Sequence, residues 1–164
     1  MNVFVSSYCP TEAAQMLADK HVVKMTLESA QLLSTYCREH LGRDDDGLYR
    51  STHRNHPCSV AMRDNPRYLA WTIEHAFALS DEFTHRYGRV HKSLAVIQQC
   101  VDIIRDSGVL DGVSACALDA PKCVLPEHRR ICCVVDAYRA TLKHKYCHDF
   151  AGRWTRRPPP HWFS

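Results

Sequence analysis

Five polar residues recur at spacings of three and four within an apolar stretch near the start of the chain: His21, Lys24, Glu28, Gln31 and Thr35. On an α-helix this spacing places all five side chains on one face. A charged stripe in so apolar a helix must be paired or must line a cavity, because an isolated buried charge is costly. Glu28, Lys24 and His21 are therefore candidate catalytic residues. A plain surface salt bridge between Lys24 and Glu28 is the alternative.

A second polar cluster, with the sequence Thr-His-Arg-Asn-His-Pro, occupies residues 52–57. An Asn before His-Pro predicts a fixed turn that presents polar side chains at the start of a helix. Asn55 and His56 are further catalytic candidates, and Arg54 is a candidate for binding an anion. The alternative is a turn that only caps the next helix.

Positive charge is concentrated in the last third of the chain. Residues 122–164 contain nine Lys and Arg against three Asp and Glu, whereas residues 1–121 contain twelve against fifteen. This asymmetry favours a polyanionic partner, and the alternative is a basic surface without one. The C-terminal tail, residues 153–164, combines cations with aromatic rings, an arrangement that suits phosphates and exposed bases. Its members are Arg153, Arg156 and Arg157 with Trp154, Trp162 and Phe163.

The nine cysteines do not form a recognisable disulfide or metal framework. Their number is odd and Cys132 is adjacent to Cys133, which favours buried free thiols. The metal-like spacings do not match a known ligand frame, so the sequence predicts neither a metal site nor a cofactor. These spacings are His53/His56, His144/His148 and Cys116/Cys123/His128.

The elements that must position these residues are mostly helical. A chain of 164 residues with 45% hydrophobic and 24% charged residues is typical of one globular domain, here residues 1–164. The pattern predicts a compact all-α bundle of about five helices after a short extended segment. The predicted helices cover about 11–40, 57–62, 66–87, 92–106 and 130–146, with a long loop over 108–129. The first residues lack a basic, apolar leader, so we expect an intracellular protein without a membrane span.

Together these features resemble phage and bacterial proteins related to the pyrimidine-dimer DNA glycosylases of the endonuclease V type. The resemblance covers about residues 1–90. It is carried by the opening Met1-Asn2-Val3-Phe4, by Asp19, His21, Lys24 and Glu28, by Asn55-His56-Pro57 and by Arg86-Tyr87-Gly88. It implies a compact helical fold and DNA as the partner. It also implies a location in the bacterial cytoplasm, either of an ordinary cell or of a phage-infected one.

The resemblance implies a DNA N-glycosylase, with or without strand-nicking lyase activity, that acts on a damaged or modified pyrimidine with Glu28 as its catalytic carboxylate. Breaking the glycosidic bond develops positive charge on the sugar, which a carboxylate stabilises. The nucleotide must also be flipped out of the duplex into a lined cavity. Tyr68, Trp71 and Tyr87 are candidates for that lining, and ordinary helix core is the alternative. Arg54, Arg153, Arg156 and Arg157 are the expected DNA-binding residues.

The identity of the nucleophile is the main departure from the family pattern. The phage enzyme uses the amino group of a small residue that is exposed by removal of the initiator Met, whereas position 2 here is Asn, which disfavours that removal. Lys24 is a candidate replacement, because an amine in a desolvated pocket can form a Schiff base. Two other functions stay open: a transferase or hydrolase that acts on a modified base or nucleotide, and a DNA-binding module without catalysis.

Overall fold

The computed structural model describes residues 1–163, which form six α-helices and two short 3₁₀ helices and contain no β-strand. This confirms the predicted all-α class. Ser164, the last residue of the predicted tail, lies outside the described residues. The helices are α1 (Pro10–Met16), α2 (Asp19–Glu39), α3 (Pro57–Asp64), α4 (Pro66–Tyr87), α5 (Leu94–Asp106) and α6 (Val134–His148), and the 3₁₀ helices are Pro126–His128 and His161–Phe163.

The single helix predicted over residues 11–40 is wrong, because the chain breaks between α1 and α2. Ala18 at the break is extended, with φ −66° and ψ 157°. Asp19 begins α2 and accepts hydrogen bonds from Arg86 on α4 at 2.9 Å and from the backbone N–H of Thr155 at 3.0 Å. These partners are distant in sequence, so a tertiary interaction overrides a local helix preference.

The other helix boundaries follow their capping residues. The Asn65 side chain accepts hydrogen bonds from the first backbone N–H groups of α4, and Gly88 ends that helix in the left-handed conformation at φ 67°. Asn at the N-cap and Gly just after the last turn are preferred at these places. The predicted 66–87 helix is confirmed. The predicted fourth and fifth helices begin two and four residues later than expected, at Leu94 and Val134.

The core lies around α2 and α4, and the chain's first residues are inside it. α4 packs against α1, α2, α3 and α5. Val3, Phe4 and Val5 are buried, and the Phe4 ring lies 4.8 Å from the His21 ring on α2 and 6.1 Å from the Tyr138 ring on α6. The start of the chain is therefore clamped between two helices. Within residues 1–163, none of the helices is both long and apolar enough to cross a membrane.

The C-terminal tail is tied to the helices by both its aromatic and its charged residues. Trp154 donates a hydrogen bond to the Met16 carbonyl at 3.0 Å, and Arg157 donates to the buried carboxylate of Glu82 at 2.9 Å. Arg86, which is 2% exposed, donates to the same carboxylate at 2.6 Å. Burial raises the pKa of Glu82, but the hydrogen bonds from Arg157 and Arg86 outweigh it, so the pKa lies below its ordinary 4.5.

Replacement of Arg157 by Gln is expected to lower the free energy of unfolding by about 1–3 kcal/mol at pH 7, because a buried carboxylate loses one of its two cations. The lowered pKa of Glu82 stabilises the fold above pH 4.5, and this stabilisation is lost as pH falls through the folded-state pKa. The difference in the free energy of unfolding between the two proteins should therefore shrink as pH falls below 4.5. Urea denaturation at several pH values measures it, and the exposed Arg153→Gln is the matched control. Equal losses in both variants would contradict the assignment.

Candidate active site

Glu28 is a buried carboxylate surrounded by nitrogen atoms. It lies on α2 and is 6% exposed. Its Oε2 accepts a hydrogen bond from the Asn2 backbone N–H at 3.0 Å and lies 3.5 Å from the α-amino nitrogen of Met1. Its Oε1 lies 3.4 Å from Lys24 Nζ. One oxygen of this carboxylate thus contacts the first two residues of the chain, and the other oxygen contacts a lysine side chain.

The two amines beside Glu28 differ in their surroundings. The Lys24 side chain is 64% exposed, whereas the Met1 side chain is 3% exposed and packs against the core. Lys24 therefore lies at the solvent edge of the site, whereas the Met1 side chain anchors the α-amino group beside Glu28. This arrangement provides a carboxylate that can stabilise a cation and an amine that can act as a nucleophile.

The second polar cluster is held against the same helix by Thr35. Its Oγ1 accepts a hydrogen bond from the Thr52 backbone N–H at 3.0 Å. This fixes the turn that leads into His56, the residue before α3, whose Nδ1 accepts a hydrogen bond from the Cys58 backbone N–H at 3.2 Å. Burial lowers the pKa of His56, and the positive charges of the N-terminal amine and His53 lower it further, whereas Glu28 opposes them.

Of the other residues predicted in this turn, Asn55 is exposed on its surface. Arg54 is also exposed, and its guanidinium lies 3.2 Å from a carboxylate oxygen of Glu39. The structure thus places Lys24 beside Glu28 and His56 close enough for Glu28 to affect its pKa, with Asn55 and Arg54 exposed in the same turn as His56.

His21 lies on the same polar stripe but away from Glu28. Seven residues separate them, which is about 10 Å along the helix axis. The His21 side chain is buried, and its Nδ1 lies 3.0 Å from the hydroxyl of Tyr146, which also accepts the Ala18 N–H. Burial, together with the charges of Lys145 and Lys24, lowers the pKa of His21 to about 4. We propose that His21 positions Phe4, and with it the start of the chain, instead of touching the substrate.

Replacement of His21 by Phe is expected to flatten the pH dependence of stability. A histidine with a folded-state pKa of about 4 and an ordinary pKa of 6.5 stabilises the fold fully above pH 6.5 and loses this contribution as pH falls toward 4. Between pH 7 and 4.5 the variant should lose about 2–3 kcal/mol less than the unmodified protein. Urea denaturation at both pH values measures this, with the exposed His148→Gln as the control. An unchanged pH dependence would contradict the buried, neutral state of His21.

The tail arginines lie against α4 and the start of α2 and not beside Glu28. Arg157 pairs with Glu82, and Arg156 donates a hydrogen bond to the His85 carbonyl at 2.9 Å, so both contact α4. The Arg153 carbonyl accepts from the first backbone N–H of α2, nine residues and about 14 Å before Glu28. The remaining candidates belong to the core or its edge: Tyr68 and Trp71 are buried, and Tyr87 packs on Phe83.

Sequence reasoning missed the residues that hold the start of the chain in the site. The Asn2 side-chain nitrogen, Nδ2, donates a hydrogen bond to the Cys123 carbonyl at 2.8 Å, and the Asn2 Oδ1 lies 3.4 Å from the Tyr138 hydroxyl. Cys123 lies in the segment predicted as a long loop. Contacts across 121 and 136 residues leave no local pattern that could have revealed them.

The same contacts assemble one group of side chains, among residues 1–163, that could hold a metal ion. One ring nitrogen of His56 and the sulfur atoms of Cys58 and Cys123 lie within 4.8 Å of one another. Cys123 also belongs to one of the spacings considered in the sequence, but Cys116 and His128 are not part of this group.

Comparison with known proteins assigns the chain to one family. The family model described as pyrimidine dimer DNA glycosylase matches residues 1–95, which include Glu28, Lys24 and His56. No curated protein and no solved structure matches the chain. Because the match covers more than half of the chain, the protein belongs to the pyrimidine dimer DNA glycosylase family.

Proposed function

We propose that this protein is a DNA N-glycosylase with lyase activity that removes a damaged or modified pyrimidine from duplex DNA. The observation that carries the proposal is the contact of the buried Glu28 carboxylate with the start of the chain, at 3.0 Å from the Asn2 nitrogen and 3.5 Å from the Met1 α-amino nitrogen. Membership of the glycosylase family supports the reaction class.

In the first step, the α-ammonium group loses one proton to solvent, and the resulting neutral amine attacks C1′ of the flipped nucleotide. The bond from C1′ to the base breaks and its electron pair leaves with the base. The attacking nitrogen releases one proton and the departing base takes up one, so charge is balanced. Glu28 stabilises the positive charge that develops on the sugar, and its burial strengthens this effect because little water screens it.

In the lyase step, the C1′–O4′ bond breaks, O4′ takes up a proton, and a protonated imine forms between C1′ and the amine. Loss of a proton from C2′ then expels the 3′-phosphate and nicks the strand. We assign the Glu28 carboxylate as the base that takes this proton. Water finally hydrolyses the imine and restores the amine.

Lys24 and His56 support this chemistry from either side. Lys24, mostly exposed and one turn from Glu28, is suited to hold the carboxylate or a phosphate. The His56 ring accepts a hydrogen bond at Nδ1, so its neutral form carries a hydrogen on Nε2. That N–H is available to the leaving base or to a phosphate.

The exposed side of α2 suits a DNA surface. Lys20 and Lys24 are exposed cations on this helix, and Arg153 lies next to Lys20 at its N-terminal end. Val23 and Leu27 on the same helix are 40% and 39% exposed. Cations beside apolar side chains fit a duplex that is bound through its phosphates and opened by an apolar wedge.

The test is incubation of the purified protein with duplex oligonucleotides that each carry one defined lesion or modified pyrimidine. Chromatography with mass spectrometry measures the released base, and a denaturing gel measures nicking. Base release from one or more duplexes is expected. Salt-dependent binding to every duplex without a product would instead favour a non-catalytic module, and cleavage of free nucleotides alone would favour the transferase or hydrolase alternative.

A further inference from the structure

The three-residue group beside the start of the chain has the donor set of a metal site. Cys58 is fully buried and Cys123 is half-buried, and they belong to segments 65 residues apart. With one ring nitrogen of His56, all three donor atoms lie within 4.8 Å of one another. Two sulfurs and an imidazole nitrogen are donors that zinc prefers.

The spacing of the two sulfur atoms fits a shared ion. Cys58 Sγ and Cys123 Sγ are 3.7 Å apart. In a tetrahedral site with zinc–sulfur bonds of about 2.3 Å, the edge between two sulfurs is about 3.8 Å. Asn2 Oδ1 lies 3.8 Å from Cys58 Sγ, so an oxygen is also at hand to complete the tetrahedron.

We propose that His56, Cys58 and Cys123 bind one thiophilic divalent cation, for which Zn²⁺ is the test ion, and that this ion fastens the loop around Cys123 to the start of α3. Both thiols lose their protons to solvent on binding, so the ion and two thiolates are together neutral. We assign Nδ1 of His56 as the nitrogen ligand. The lone pair on Nδ1 accepts a hydrogen bond from the Cys58 N–H at 3.2 Å in the metal-free protein. On metal binding the same lone pair would coordinate the ion, and the ring hydrogen would stay on Nε2.

The consequence concerns the position of the chain's first residues. The Cys123 carbonyl accepts the hydrogen bond from the Asn2 amide at 2.8 Å, and the Asn2 backbone N–H contacts Glu28. An ion that fixes Cys123 therefore also fixes Asn2. The proposed role is structural, because the ion is not required for any of the bond-breaking steps; His56 is shared with the proposed function, which uses its other ring nitrogen, Nε2.

The experiment measures metal binding directly. The full chain, purified under reducing conditions, is analysed for bound zinc by elemental mass spectrometry, and the metal-free protein is titrated with Co²⁺. We expect about one zinc per chain, with thiolate-to-cobalt charge-transfer bands and the d–d bands of a tetrahedral site. Added Zn²⁺ should raise the unfolding temperature of the metal-free protein.

Variants locate the site. Cys123→Ser should lose the bound zinc and the charge-transfer bands, whereas the exposed Cys147→Ser should keep both. Retention of full metal content by Cys123→Ser, or the absence of zinc and of cobalt bands in the reduced, folded protein, would overturn the proposal. Circular dichroism checks that each variant is folded, and Cys58→Ser provides a second removal of a ligand if Cys123→Ser does not fold.

Discussion

Replacement of Glu28 by Gln is expected to lower the rate of base release at least about a hundredfold, the scale for one preorganised electrostatic group. Gln has nearly the same size and can still accept the hydrogen bond from the Asn2 N–H. It cannot stabilise positive charge on the sugar as a carboxylate does. Single-turnover kinetics on the best substrate from the duplex panel measures the effect, because it separates chemistry from product release.

The matched control for this prediction is Glu74→Gln, which changes an exposed glutamate on α4. DNA binding and the unfolding midpoint should be close to those of the unmodified protein in both variants. A Glu28→Gln protein with unchanged kinetics would remove Glu28 from the mechanism, even if the protein proved to be a glycosylase.

Lengthening the chain at its start by two residues is expected to abolish covalent trapping by borohydride, and to lower turnover at least about a hundredfold. The extension moves the free amine away from the Glu28 carboxylate, which now lies 3.5 Å from the Met1 nitrogen. Borohydride reduces the imine to a stable protein–DNA bond, and peptide mass spectrometry then identifies the residue that carries it. Intact mass also shows whether Met1 or Asn2 provides the amine.

Lys24→Met is the decisive partner to this experiment. If the α-amine is the nucleophile, this variant should still be trapped, although more slowly, because it loses only a supporting cation. If trapping survives the N-terminal extension but disappears in Lys24→Met, the nucleophile is the Lys24 amine and not the α-amine. Lys20→Met, which removes an exposed cation one turn earlier, controls for the loss of charge.

The fold could be predicted from the sequence where local chemistry determines it. Asn65 and Gly88 delimit α4 through capping and a left-handed turn. The break at Ala18 could not be predicted, because it depends on Asp19 contacting Arg86 and Thr155. Residues between 11 and 40 contain neither Pro nor Gly, so helix propensity alone continues through the break.

The candidate site was predictable in its helical part only. A spacing of four residues predicts that Lys24 and Glu28 are neighbours, and the structure places them 3.4 Å apart. The same stripe predicted His21 as a partner, yet two helical turns carry it into the core beside Tyr146. The contacts of Asn2 with Glu28 and Cys123 depend on long-range packing of the chain, which the hydrophobic periodicity of the sequence cannot predict.

The clamping of the chain's first residues against Tyr138 and Cys123 has a consequence for biosynthesis. Translation proceeds at about 5–20 residues per second, so the 121 residues that separate Asn2 from Cys123 require roughly 6–24 s. During that interval Val3, Phe4 and Val5 lack the α6 side of their clamp. The hydrogen bond from Asn2 to the Cys123 carbonyl can therefore form only after Cys123 has been synthesised, so the first residues reach their final packing long after they leave the ribosome's catalytic centre.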